Sequence, residues 1–149
     1  MANKSILIRN AFIVNEGLIF KGDLLVNDGK IEEVSATSIN AFPEDALIID
    51  ATGKYLLPGV IDTHVHFREP GLIHKADIYT ESKAAVAGGV TSFMDMPNTV
   101  PPVLTQELLE DKFKLAKDKA LANYSFYMGT SNDNLNEVLK TDPKNVCGV

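Results

Sequence analysis

The stretch Asp62-Thr63-His64-Val65-His66-Phe67-Arg68 holds the residue types in this chain best suited to chemistry. Two of the chain's three histidines stand one residue apart there, with an acid two positions before the first and a guanidinium two positions after the second. In an extended segment alternate side chains share a face, so Asp62, His64, His66 and Arg68 are expected on one side and Val65 and Phe67 on the other. Two imidazoles on that pitch can grip one metal ion from one side. Nitrogen ligation favours zinc, at about 2.0–2.1 Å per Zn–N bond. Such an ion polarises an amide carbonyl and lowers the pKa of bound water towards about 7. Asp62 has the parity to orient a ligand imidazole, or it bonds a neighbouring backbone amide instead. Arg68 offers a planar cationic fork that suits a substrate carboxylate.

A bare His-x-His is a weak signal and equally describes two ordinary imidazoles. Context favours the metal: an apolar strand pattern, the right parity, and an Arg-Glu-Pro-Gly loop immediately after. His74 sits off the strand beside Lys75 and is not expected to be a ligand. Asn98, in Met-Pro-Asn-Thr-Val-Pro-Pro, either binds a polar substrate group or is a turn residue between prolines; its type alone leaves both open. Asp95 reads as structural or as a support to the site. Cys147 reads as a small buried hydrophobe rather than a nucleophile.

The elements that position these residues follow two grammars. Residues 1–57 read as short strands: Ile6 and Ile8, Ala11 to Val14, a hairpin from Leu24 to Val34 about Asp28-Gly29, and Ala46 to Asp50. Residues 58–149 alternate strands and helices. Gly59 to Phe67 reads as a strand buried on both faces, followed by a helix from about Ala76 to Ala87 that stops at Gly88-Gly89. Val90 to Met96 is a second strand. Thr105 is a candidate N-cap for a helix to about Ala122, with Leu109, Phe113, Ala116 and Ala120 on its apolar stripe. Tyr124 to Met128 is a third strand, Asn134 to Leu139 a short helix, and Val146 to Val149 the start of a fourth strand. Strand–helix alternation predicts a parallel sheet of the α/β class, with active-site groups at the strands' C-terminal ends.

The chain has 149 residues, 45% hydrophobic and 23% charged, with a formal charge of −6. That balance excludes a basic nucleic-acid surface, and no apolar run is long enough to span a bilayer. One cysteine forbids an internal disulfide and suits a reducing compartment. With no signal-peptide pattern at Met1 to Ser5, a cytoplasmic protein is expected.

Pro58 to Gly71, Pro-Gly-Val-Ile-Asp-Thr-His-Val-His-Phe-Arg-Glu-Pro-Gly, resembles the signature of dihydroorotase within the amidohydrolase superfamily. Ala84 to Pro102 resembles its second block. The Arg-Glu-Pro-Gly and Met-Pro-Asn-Thr portions are far more specific than His-x-His, and related hydantoinases and allantoinases vary at the arginine. The resemblance implies the first three βα units and the start of the fourth strand of a (β/α)8 TIM barrel, preceded by part of a small β-sandwich. It implies a zinc-dependent hydrolase of pyrimidine biosynthesis that interconverts dihydroorotate and N-carbamoyl-aspartate. It makes His64 and His66 ligands of one zinc, of two in the complete enzyme, and Arg68 and Asn98 holders of the substrate carboxylate.

The resemblance also implies groups this chain does not carry: a bridging lysine or aspartate, two more histidines and a proton-transferring aspartate. No catalytic acid or base is therefore assigned within the chain. Alone it is expected to be inactive, and either to self-associate or to pack with the remaining barrel, since a half-barrel leaves a strand edge unpaired. Two alternatives stand beside this reading: a hydantoinase- or allantoinase-type enzyme, and a non-catalytic dihydroorotase-like scaffold subunit. The histidine pair argues against the scaffold.

Overall fold

The computed structural model describes residues 5–149, which divide into two compact units between Pro58 and Gly59. The first unit is a five-stranded sheet: β1 (Ser5–Asn15), β2 (Leu18–Asn27), β3 (Lys30–Ser35), β4 (Leu47–Asp50) and β5 (Tyr55–Leu56). Strand order is β3-β2-β1-β4, with β5 also on β1. β1 and β2 are antiparallel, as are β2 and β3, whereas β4 and β5 run parallel to β1. The Asp28-Gly29 hairpin forms as expected, both residues at positive φ (48° and 75°), the geometry a two-residue turn requires. A second such turn, Glu16-Gly17 (49° and 77°), joins β1 to β2. Sequence reading missed it because Glu is not a residue that signals left-handed backbone.

β1 is continuous where sequence suggested two pieces. A bulge between Ile8 and Ala11 absorbs the interruption, with Asn10 at φ 61°. The carboxylate of Asp23, buried on β2, accepts from the Asn10 amide (2.9 Å) and from the Ile39 amide (3.1 Å). It thereby satisfies the bulge and holds the 36–46 loop. Leu7, Leu25 and Ile39 pack beside it, and Ala11, Ile13 and Ala51 form a neighbouring cluster.

The second unit alternates strictly: β6 (Val60–Val65), α1 (Ile78–Ala87), β7 (Val90–Asp95), α2 (Gln106–Lys119), β8 (Asn123–Phe126), α3 (Leu135–Leu139). The three strands are parallel in the order β6-β7-β8, so the α/β expectation is met for this unit. A parallel bridge between Tyr127 and Gly148 continues the sheet. Asp77 caps α1 in a reciprocal box with Thr80. Thr105 caps α2 as predicted, its hydroxyl accepting from the Leu108 amide at 3.2 Å. The Glu137 carboxylate takes the Gln106 amide of the same helix end at 2.9 Å.

The core lies between sheet and helices: Phe67, Ile78, Phe93, Val103, Leu109, Ala116, Phe126 and Met128. The α2 stripe is as predicted, except that Lys112 shares it and is 1% exposed. β6 departs from expectation. Sequence predicted burial on both faces, but Val60 and Ile61 are 55% and 58% exposed. Among the described residues β6 pairs only with β7, so one edge is open. An apolar run records what a strand is built to meet, and a neighbour must be present to bury it.

Candidate metal and substrate site

The C-terminal ends of three parallel strands gather the chemically able residues. His64 lies within β6, His66 directly after it, Asn98 three residues past the end of β7, and Tyr127 directly after β8. Parity holds as far as His66. Phe67 turns into the core against Phe93, ring centroids 4.4 Å apart, while His64 and His66 face the solvent side as neighbours, centroids 5.1 Å apart at 67°. Extension does not persist to Arg68, contrary to expectation. Arg68 has φ 68°, and its carbonyl accepts from the Leu72 amide at 3.0 Å, so it begins the loop instead of continuing the strand. Alternation therefore does not fix the side on which the guanidinium lies.

Asp62 resolves to the local alternative: its Oδ1 accepts from the backbone N–H of His64 at 3.1 Å. It steadies the strand at the first histidine rather than orienting a ring. Asn98 takes that orienting role. Its Oδ1 is 2.8 Å from His66 Nδ1. With Asn98 Oδ1 as the acceptor, the neutral imidazole that satisfies this contact is the one with its proton on Nδ1 and its lone pair on Nε2, the state a metal ligand needs. His74 is exposed in the loop after Gly71. No cluster of three or more His, Cys, Asp or Glu among the described residues is arranged to hold a metal ion. The donor set therefore fits half of a metal centre: two adjacent imidazoles, one with an acceptor beside Nδ1 that suits the ligating tautomer.

Three supports were not singled out from sequence. Glu69 is buried; its Oε2 accepts from the Ile78 amide at 3.1 Å, and its Oε1 pairs with Lys119. This carboxylate fastens the Arg-Glu-Pro-Gly loop to the start of α1 and the end of α2. Gly71 (φ 82°) lies so near Val100 that a Cβ would overlap the Val100 carbonyl, and the Val100 amide donates to Pro70 O at 3.2 Å. The loops after β6 and β7 are thus in direct contact. Tyr127 donates its hydroxyl to Thr63 O at 2.9 Å, reaching across β7 to β6. Burial pushes its phenol pKa up, with the nearby Cys147 thiol contributing. The Arg-Glu-Pro-Gly motif marked Glu69 and Gly71 without showing what they do, and Tyr127 carried no signal, because each role depends on partners far along the chain.

His64, Asn98, Tyr127, Gly129 and Thr130 line an open cleft of about 480 Å³. Cys147 is half-buried at its edge of the sheet, and burial raises its thiol pKa, which fits a packing residue rather than a nucleophile.

Residues 55–144 match the amidohydrolase family. The chain belongs to that family. It is 50% identical to the dihydroorotase of Carboxydothermus hydrogenoformans over 93 residues, 62% of this chain and 21% of that protein. It is 39% identical to the allantoinase of Deinococcus radiodurans over 145 residues, 97% of this chain and 31% of that protein. Among solved structures, the L-hydantoinase (dihydropyrimidinase) from Arthrobacter aurescens superposes with a TM-score of 0.88 at 31% identity, covering 96% of this chain and 32% of that one. The chain thus spans between about a fifth and a third of the length of these relatives. Among the described residues no helix is long and apolar enough to cross a membrane.

Proposed function

We propose that this amidohydrolase chain furnishes the N-terminal share of a dihydroorotase active site, built on the first βα units of a TIM barrel. His64 and His66 hold one metal ion, zinc by the chemistry of the donors. The metal supplies the polarising charge for opening a cyclic amide. The observation that carries this reading is the His66–Asn98 contact, in which an acceptor beside Nδ1 supports an imidazole with Nε2 turned to the metal. It also leaves the Asn98 amide N–H groups available to a substrate oxygen. Arg68, in the loop that follows, binds the substrate carboxylate through paired charge-assisted hydrogen bonds. Exposed Val60 and Ile61 on the open β6 edge support a role for further strands in completing the barrel and bringing the remaining ligands.

The allantoinase alignment over nearly the whole chain and the L-hydantoinase superposition favour a second reading, a cyclic amidohydrolase whose substrate lacks the carboxylate. Arg68 separates the two. The test is a chimera in which this chain replaces the matching segment of the Carboxydothermus dihydroorotase. We expect turnover of dihydroorotate, and a loss of roughly 100-fold in kcat/KM on Arg68→Ala, about 3 kcal/mol for a charge-assisted pair. Hydantoin and allantoin turnover should change little. Equal losses on all three substrates, or a preference for the uncharged rings, would refute the dihydroorotase reading. The 149-residue chain alone should turn over none of them.

A further inference from the structure

We infer that the buried Lys112–Asp95 pair is a positioning device for His66, fixing its imidazole with Nδ1–H on Asn98 and the Nε2 lone pair free. Lys112 comes from α2 and Asp95 from the last position of β7; Nζ and Oδ2 are 2.8 Å apart, with side chains 0% and 1% exposed. Each partner directs a second bond at backbone beside the histidine–asparagine contact. Asp95 Oδ1 accepts from the Phe67 amide at 3.0 Å, the peptide that follows His66. Lys112 Nζ donates to Met96 O at 2.9 Å, two residues before Asn98. The Met96 amide in turn donates to Val65 O at 3.0 Å, on the residue preceding His66. The chain segments leaving β6 and β7 are therefore tied on both sides of the 2.8 Å contact between His66 and Asn98. The Phe126 ring lies 4.8 Å from the ammonium and helps close the pair from water.

Packing alone gives no reason for this pair. Position 112 lies on the inward stripe with Leu109 and Ala116, where an apolar side chain would avoid the desolvation of two ions. A carboxylate and an ammonium do what a leucine cannot: each aims a bond at a particular backbone group. An imidazole free to rotate would sample the other tautomer and present Nδ1 instead of Nε2 to an ion.

The link to metal rests on the proposed role of His66, but the orientation is a property of the metal-free chain and is measured separately. Imidazole ¹⁵N NMR of the metal-free chain should show His66 as the Nδ1–H tautomer, with the Phe67 amide protected from hydrogen exchange. The double replacement Asp95→Leu with Lys112→Met removes both anchors while keeping the site apolar. It should melt cooperatively, lose the single His66 tautomer, and bind zinc about 10–100-fold more weakly by calorimetry, as for loss of a ligand's supporting partner. A folded double variant with unchanged His66 nitrogen shifts would overturn the proposal. So would an unprotected Phe67 amide or an Nε2–H His66 in the parent chain, measurements that hold even if the variant does not fold. If His66→Ala leaves zinc binding unchanged while the double variant releases the tautomer, the positioning role stands and the metal reading falls.

Discussion

Replacing Glu69 by alanine removes the carboxylate that fastens the loop carrying Arg68. The structure sets the size of the effect. Ile78 is fully buried, so its amide would lose its partner where water does not easily reach, at a cost of about 1–3 kcal/mol. Lys119 is 39% exposed, and its ion pair with Glu69 adds at most about 1 kcal/mol after solvent screening. The sum, roughly 1–4 kcal/mol, corresponds to a fall in melting temperature of roughly 4–30 °C for a unit of this size. Glu69→Gln keeps an oxygen for the Ile78 amide and loses the charge, so it should cost about half as much. Thermal and urea melts followed by circular dichroism measure the global term, and hydrogen exchange at Ile78 reports the local one. A Glu69→Ala chain melting within about 3 °C of the parent, with Ile78 still protected, would refute the view that this carboxylate is the loop's anchor.

Gly71→Ala places a Cβ against the Val100 carbonyl at a left-handed position, and should destabilise by about 1–3 kcal/mol while weakening the Pro70–Val100 contact, as read by melts and by exchange at the Val100 amide. Acid stability should reflect Glu137, whose pKa is lowered first by Lys140 and then by the Gln106 amide. A carboxylate with a depressed folded pKa stabilises the fold above its unfolded value, near 4.5, and loses that contribution as pH falls through the lower folded one. Melting temperatures of Glu137→Gln and the parent should therefore differ at pH 6 and converge in strong acid; a gap that does not change with pH would contradict the assignment.

Much of this was written locally. Asp28-Gly29, Thr105 and the strand–helix alternation after Pro58 each depend on neighbours a few residues away, and each formed as read. Period-two alternation likewise placed His64 and His66 side by side and Phe67 in the core, because alternation is a property of extended backbone itself. Tertiary structure decided the rest. Extension stopped before Arg68, where the chain turns left-handed into a loop packed on residues 97–102. Asn98 reached the His66 ring from 32 positions away and set an acceptor beside Nδ1, a partner that the histidine's own sequence could not reveal. The partners of Lys112 and Glu69 were not legible, since nothing in a one-dimensional pattern distinguishes a solvated charge from one whose partner arrives on another element. The sequence by itself determined which groups could bind and on what pitch. Only the folded chain determined which way they point, because direction comes from hydrogen bonds between segments that meet in space.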